Sequence, residues 1–129
     1  MDTLVIEGGR PLSGTIAIQG AKNAALPILA AGMLVEGTVI VDRVPNLLDI
    51  DVMLDILRSL GCRAEQIGQS VVLDTTSANS AHIPESLMGQ MRSSIFLMGP
   101  LLARFGEVEV YQPGGCAIGE RKIDLHLLG

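Results

Sequence analysis

Residues 37–61 carry the pattern that decides the fold class: GTVIVDRVPNLLDIDVMLDILRSLG. The first part, Gly37–Asp42, is rich in β-branched residues and predicts a strand. Asp49–Leu60 places apolar side chains at helical spacing, and Gly61 is a typical residue just beyond a helix end. A strand followed closely by an amphipathic helix predicts an α/β fold.

The residues before this stretch continue the pattern. Thr15–Gln19 alternates apolar and polar side chains, which predicts a short strand. Lys22–Leu34 predicts a helix, with Pro27 tolerated in its first turns. Its apolar run, Ala24–Val35, is shorter than the roughly 20 residues that cross a bilayer, so we expect a helix buried on all sides and no membrane partner.

The residues after the stretch repeat the alternation. Val71–Asp74 predicts a strand, and Pro84–Arg104 predicts a long helix that Pro100 should bend. Apolar residues more typical of a core than of a ligand site follow one side of this helix: Met88, Met91, Ile95, Met98 and Leu102. A strand at Glu107–Tyr111 and a helix from about Arg121 complete the pattern.

The sequence is interpreted as two strand-helix-strand-helix units with a period of about 69 residues. Asn23 corresponds to Arg92, and each opens an apolar helix. Gly37–Val41 corresponds to Gly106–Val110. Identity between the units is low, so the repeat depends on pattern, and chance agreement remains the alternative.

Composition limits the classes of function. The chain has 129 residues, 48% hydrophobic and 18% charged, which is typical of a globular domain. Its net charge of −5 and 2% aromatic content argue against a nucleic-acid partner. An acidic chain that binds an anionic substrate must concentrate its cations, and Lys22, Arg92, Arg121 and Lys122 are the candidates.

The two cysteines and two histidines show no zinc-site spacing, so we expect neither a metal nor a cofactor. Cys62 follows Gly61 at the start of an apparent strand and is interpreted as a small buried apolar residue. His82 is interpreted as a loop residue without a role. Two cysteines and no signal-peptide pattern favour a reducing cytoplasm.

Cys116 lies in a loop of three glycines and one proline, Pro113–Gly119, and Arg121 follows five residues after it. Such a loop can expose a thiol, and a nearby guanidinium favours the reactive thiolate. The loop leads into a predicted helix start, where free N–H groups favour anions. The alternative is a glycine-rich turn around an inert small residue.

Three motifs together resemble the UDP-N-acetylglucosamine enolpyruvyl transferase family. Residues 113–126 are similar to its active-site loop, and Gly20–Pro27 is similar to its substrate-binding segment. Met91–Ser94 matches the place where the family carries a substrate-contacting arginine. The resemblance runs along the whole chain. One departure is Lys122, which stands where a proline is usual.

The resemblance implies an incomplete inside-out α/β barrel. Family members have two lobes, each built from three such units, with the active site between them. Residues 1–21 would be a strand segment that packs with the second lobe, and 22–129 two of three units of the first. We therefore interpret the chain as a fragment whose partner is the missing C-terminal lobe of the same enzyme.

The resemblance also implies a reaction, the transfer of enolpyruvyl from phosphoenolpyruvate to the 3′-hydroxyl of UDP-N-acetylglucosamine. This is the first committed step of peptidoglycan precursor synthesis, and so serves the cell wall, cell shape, cell cycle and cell division. Cys116 would be the general acid and the target of fosfomycin. Lys22 and Arg121 would hold the phosphate and carboxylate, with Asn23 and Arg92 as further substrate contacts. The residues after the loop arginine would lie along the nucleotide: Lys122, Ile123, Asp124 and Leu125.

Other interpretations remain for these residues. Lys22 and Asn23 could simply begin a helix, and Arg92 could pair with Glu85 or Glu109. A cysteine phosphatase needs five residues between its cysteine and arginine, whereas four lie between Cys116 and Arg121. The related shikimate-pathway transferase lacks the cysteine loop. The main alternative is a non-catalytic fragment that keeps part of the nucleotide-sugar surface.

Overall fold

A computed structural model describes residues 2–90 and 92–109, with residues 92–94 described by their backbone alone. The elements along the chain are α1 (Lys22–Ala31) and a 3₁₀ turn (Gly32–Leu34), β1 (Thr38–Val41), α2 (Leu48–Ser59), β2 (Arg63–Ile67), β3 (Ser70–Asp74), α3 (Glu85–Met88), a 3₁₀ helix (Arg92–Leu97) and α4 (Met98–Phe105). The predicted α/β class is confirmed. None of the helices in the described ranges is long and apolar enough to cross a membrane.

The three described strands form one antiparallel sheet in the order β1-β3-β2. Thr38 pairs with Asp74 at one end of β1, and Arg63 pairs with Asp74 on the other side of β3. β2 and β3 are joined by the two-residue turn Gly68–Gln69, a length typical of hairpins. Helix α2 lies between β1 and β2 in sequence, so it connects the two outer strands of the sheet.

Helix α2 provides the largest share of the core. Its buried side chains are Ile50, Val52, Met53, Leu54, Ile56 and Leu57. Asp49 and Asp51 in its first turn, and Arg58 in its last, have the charges that a helix dipole favours. Gly61 follows the helix with φ +97°, a conformation that side chains other than glycine rarely adopt, so the predicted end is confirmed.

Helix α1 is confirmed at the predicted position, but the expectation that it is buried on all sides is wrong. Leu26 and Leu29 are fully buried, whereas Ile28 is 50% exposed and Leu34 57% exposed. Within the described part of the chain, α1 packs mainly against α2 and the 3₁₀ helix Arg92–Leu97. These neighbours cover only one of its sides, which leaves the opposite apolar stripe in water.

The long helix predicted for Pro84–Arg104 is wrong, because the chain forms α3, the 3₁₀ helix and α4 instead. Pro100 lies at the third position of α4, where its missing N–H is not needed for a helical hydrogen bond. The interruption changes which side chains face the core. Met88, Ile95, Leu97 and Leu101 are buried, while Leu102 is 52% exposed.

Arg104 on α4 joins three parts of the fold. Its Nη1 donates to the carbonyl oxygens of Met33 at 3.2 Å and Val35 at 3.3 Å, and its Nη2 donates to that of Thr75 at 2.7 Å. The hydroxyl of Thr75, which is fully buried, donates to the Val35 carbonyl. The guanidinium therefore links α4 to the 3₁₀ turn after α1 and to the residue after β3.

Residues 2–21 contain no helix or strand, so the strand predicted at Thr15–Gln19 is not formed. Large apolar side chains of this segment are 80–97% exposed: Leu4, Val5, Ile6, Leu12, Ile16 and Ile18. A strand needs a hydrogen-bonded neighbour, and none of the described strands pairs with this segment. The assignment of residues 1–21 to a second lobe stays a prediction.

The strand predicted at Glu107–Tyr111 is represented by one parallel bridge, between Glu109 and His82. The Glu109 N–H donates to the Ala81 carbonyl at 3.1 Å, and the Ile83 N–H donates to the Glu109 carbonyl at 3.3 Å. Residues 110 and 111 lie outside the described residues. The bridge brings the segment that precedes the Cys116 loop beside residues 81–83.

Candidate active site

Lys22 and Asn23 are the first two residues of α1. The Lys22 Nζ lies 2.7 Å from Oδ2 of Asp49, and their side chains are 40% and 32% exposed. Asn23 is exposed at the same helix start, where no side chain caps the free N–H groups. An ammonium, an amide and free N–H groups at one helix start can together bind an anionic or hydroxyl-bearing ligand.

Asp49, the partner of Lys22, was not singled out from the sequence, where it was treated only as a helix start. It lies in the first turn of α2, 27 residues after Lys22. A signal was present, because each residue begins a helix with a strong apolar pattern, and such helices pack side by side. The charges at their first turns can then meet.

A close backbone contact brings the start of α1 to the loop after β1. A Cβ atom on Gly20 would lie 1.6 Å from the carbonyl oxygen of Arg43, so only glycine fits there. Arg43 has φ +59°, in the left-handed region that costs a residue with a Cβ about 1–2 kcal/mol. Two unusual backbone positions, Gly20 and Arg43, therefore meet in the segments that precede α1 and α2.

Replacing Arg43 by glycine should raise the free energy of unfolding by about 0.5–1 kcal/mol. The substitution removes the left-handed strain, of about 1–2 kcal/mol, and part of that gain is offset by the greater backbone freedom of unfolded glycine. Urea unfolding followed by circular dichroism measures it. Arg43→Ala, which deletes the same exposed side chain but keeps Cβ, should change stability by less than about 0.5 kcal/mol. Equal changes in the free energy of unfolding for the two variants would show that the Arg43 backbone is not strained.

Arg92 begins the 3₁₀ helix that packs against α1. The 3₁₀ helix that Arg92 begins therefore packs against the helix that carries Lys22 and Asn23. In the alternative to a substrate role, Arg92 would pair with Glu85 or Glu109, but Glu109 Oε2 already lies 2.9 Å from Nδ1 of His82.

His82 has a structural role that the sequence analysis did not assign. It forms the parallel bridge with Glu109, and its side chain pairs with the same residue. The two interactions hold the chain that leads toward the Cys116 loop. No signal in the sequence identified the partner, because 27 residues separate the two and neither lies in a motif.

The remaining predicted site residues lie outside the described residues: Cys116, Arg121, Lys122, Ile123, Asp124 and Leu125. Their roles stay predictions. In the part of the chain that the structure describes, no group of three or more histidine, cysteine, aspartate or glutamate side chains could hold a metal ion.

Cys62 is confirmed as a buried side chain, 6% exposed, with its Sγ 3.3 Å from the Met33 sulfur. Burial raises the pKa of the Cys62 thiol; the positive charge of Arg104 opposes this effect and the carboxylate of Asp74 adds to it. A buried thiol with a raised pKa forms little thiolate near neutral pH, so Cys62 is a poor nucleophile.

Known proteins similar to this chain agree on one chemistry. The chain is 49% identical over 129 residues to the UDP-N-acetylglucosamine 1-carboxyvinyltransferases of Shewanella amazonensis and Desulfosudis oleivorans. The match covers the whole of this chain but only 31% of each relative's length. The crystal structure of the enolpyruvyl transferase NikO from Streptomyces tendae has a TM-score of 0.66 and 27% identity, covering 77% of this chain and 23% of that one.

The similarity to NikO confirms the expected enolpyruvyl transferase fold class, of which the sheet described here is an incomplete part. A sequence profile of the same chemistry covers nearly the whole chain, from residue 6 to residue 129. The chain therefore belongs to the EPSP synthase (3-phosphoshikimate 1-carboxyvinyltransferase) family.

Proposed function

We propose that this chain forms part of an enzyme that transfers enolpyruvyl from phosphoenolpyruvate to the 3′-hydroxyl of UDP-N-acetylglucosamine and releases phosphate. The observation that carries the proposal is the 49% identity over the whole chain to transferases named for this nucleotide sugar. The name of the family alone would favour a shikimate phosphate as acceptor. The Cys116 loop resembles that of the nucleotide-sugar enzymes, and it therefore supports UDP-N-acetylglucosamine as the acceptor.

Lys22 and Arg121 are proposed to bind the phosphate and carboxylate of phosphoenolpyruvate. The described part of this arrangement is a charged, half-exposed ammonium at the start of α1, beside the exposed amide of Asn23. Charge-assisted hydrogen bonds from these groups to an anion are stronger than neutral ones. Asn23 and Arg92 would contact the sugar, and residues 121–125 the nucleotide.

Cys116 is proposed as the general acid that protonates the terminal methylene while the sugar hydroxyl adds to the neighbouring carbon. A general acid of this kind works best with a pKa near the working pH. Arg121 and the following helix start would lower the pKa of the thiol toward that range. The base for the hydroxyl would come from the C-terminal lobe, which packs with residues 1–21 and with the partial first lobe, 22–129.

The proposed setting is the cytoplasm, where the product would enter peptidoglycan synthesis and so support cell-wall growth, cell shape, cell cycle and cell division. The partners are the two small-molecule substrates and the rest of the enzyme. A second candidate is a non-catalytic chain that keeps part of the nucleotide-sugar surface. The chain spans 31% of the length of the curated relatives that it matches.

A chimeric enzyme tests the proposal. These 129 residues would replace the matching part of the Shewanella amazonensis transferase, with which they share 49% identity. We expect phosphate release that requires both phosphoenolpyruvate and UDP-N-acetylglucosamine. Release with shikimate 3-phosphate instead would overturn the substrate assignment. A folded chimera that turns over with neither acceptor, while the Shewanella parent does, would favour the non-catalytic candidate.

Alkylation should distinguish the two cysteines in the 129-residue chain. Cys116 is expected to react with iodoacetamide at least about tenfold faster than Cys62, because the Cys62 thiol is buried and its pKa is raised. Fosfomycin should modify Cys116 as well. Peptide mapping after limited labelling measures both rates, with unfolded chain as the control in which the thiols react alike. Preferential labelling of Cys62 would refute the assignment.

A further inference from the structure

The contact between Lys22 and Asp49 leaves most of the ammonium available. An ammonium has three N–H donors, and among residues 2–90 and 92–109 Asp49 is its one hydrogen-bond partner, at 2.7 Å. The pair is open to water, with side chains 40% and 32% exposed. Two of the N–H groups can therefore bind a ligand while the third donates to Asp49.

The position of Lys22 makes this partner favourable. Lys22 is the first residue of α1, and the positive end of a helix dipole disfavours a cation there. Asp49 lies in the first turn of α2, where the same effect favours an anion. The carboxylate is thus well placed for its own helix, and it offsets the unfavourable location of the lysine.

We infer that Asp49 is a positioning residue that holds the Lys22 ammonium ready for the phosphoenolpyruvate anion. The inference rests on the proposed function, in which Lys22 touches the substrate and Asp49 acts through Lys22. A lysine side chain is flexible, and a fixed carboxylate restricts where its ammonium can lie. Gly20, shortly before α1, closely approaches the Arg43 carbonyl in the segment that leads to α2.

The same carboxylate repels an incoming anion, so it also affects selectivity. A small anion that contacts only Lys22 is attracted by the ammonium and repelled, from farther away, by the carboxylate that the ammonium already contacts. A ligand that gains further contacts, such as those proposed for Arg121, can overcome the repulsion. Asp49 should therefore weaken the binding of inorganic phosphate more than that of phosphoenolpyruvate.

Lysine-selective ¹⁵N labelling of the 129-residue chain tests the positioning directly. The chain has only two lysines, Lys22 and Lys122, so two side-chain ammonium signals are expected. Asp49→Asn keeps an acceptor oxygen but removes the charge. It should speed exchange of the Lys22 ammonium protons with water about two- to fivefold, in line with the modest strength of exposed ion pairs. The Lys122 signal is the internal control.

Asp51→Asn is the matched control variant. It removes the same charge from the same first turn of α2, and Asp51 is exposed. Its Lys22 signal should match that of the original chain, whereas Asp49→Glu should restore slow exchange in part. Equal Lys22 exchange in the original chain and in Asp49→Asn, with both folded by circular dichroism, would overturn the inference.

The chimeric enzyme provides the second readout. Asp49→Asn should lower kcat/KM for phosphoenolpyruvate about fivefold or more, the scale of one misplaced charged contact, and leave the KM for UDP-N-acetylglucosamine unchanged. Inhibition by inorganic phosphate should become stronger. If the chimera is active and Asp49→Asn leaves its kcat/KM for phosphoenolpyruvate unchanged, the role of Asp49 in substrate binding is contradicted. An inactive chimera would instead contradict the proposed function, and the ammonium exchange would still decide whether Asp49 places Lys22.

Discussion

Arg104→Met is expected to lower the free energy of unfolding by about 2–4 kcal/mol. The guanidinium donates to the carbonyl oxygens of Met33, Val35 and Thr75, and bonds from a charged donor contribute more than neutral ones. Methionine keeps most of the apolar stem but removes the guanidinium donor. The Val35 carbonyl keeps the bond from the Thr75 hydroxyl, and the Thr75 carbonyl keeps the bond from the Ala78 N–H. Partial exposure of Arg104 reduces the effect, so the figure lies below the sum for three fully buried bonds.

Urea unfolding of the 129-residue chain measures this loss. Arg104→Lys should lose about half as much, because one ammonium keeps the charge but does not span carbonyls on both sides. Arg10→Met is the matched control, since Arg10 is exposed in the segment without helix or strand, and it should change stability by less than about 0.5 kcal/mol. An unchanged midpoint for Arg104→Met would show that the three carbonyls find other donors.

The second large effect is expected in catalysis. With both substrates present, the 129-residue chain alone should release phosphate at least about a thousandfold more slowly than the chimera. Positioning of reactants can contribute effective molarities of about 10⁵ M or more, and it is lost when half of a cleft is missing. This chain contributes the proposed cations and the thiol, but no proposed base for the sugar hydroxyl.

Phosphate release and product formation should be measured at equal concentrations of chain and chimera. A Cys116→Ala chimera is the control that sets the background. Substantial release by the chain alone, rising with the square of its concentration, would mean that two copies assemble a site. Release that rises linearly would mean that one chain suffices, and the proposed need for a second lobe would then be wrong.

Local sequence patterns correctly predicted the helix and strands whose packing and pairing partners lie in the described part of the chain. The amphipathic residues of Asp49–Leu60 predicted α2 within a residue, because one face is buried and Gly61 ends the helix. The Gly37–Asp42 and Val71–Asp74 strands are confirmed for the same reason, since they pair with each other. Val71 and Leu73 are buried in the core that α2 completes, and Val39 and Val41 pack against it, whereas Ile40 is 64% exposed.

Predictions that depended on distant neighbours were less accurate. The apolar pattern of α1 indicated burial on every side, but the pattern alone does not tell how many elements surround a helix. Thr15–Gln19 alternates as a strand does, yet a strand forms only beside a partner. The continuous helix from Pro84 to Arg104 was wrong because periodicity does not distinguish one helix from shorter helical segments that follow one another.

In the candidate site too, local motifs were recognised from the sequence and contacts between distant residues were not. Lys22 and Asn23 were recognised from a short motif, and their place at the start of α1 is confirmed. Asp49 and the pairing of His82 with Glu109 were missed, because each contact joins residues that are 27 positions apart. Charged groups carry no periodicity that would identify their partners, so such pairs become visible only when the helices and bridges are in place.

The strand order β1-β3-β2 has a consequence for how the chain folds during synthesis. β2 and β3 are neighbours in sequence and can pair as soon as both have emerged, whereas Thr38 must wait for Asp74, 36 residues later (74 − 38). At about 5–20 residues per second, the nascent β1 spends about 2–7 s without its partner. Helix α2 is made in that interval, and we expect it to shelter Val39 and Val41 until β3 arrives.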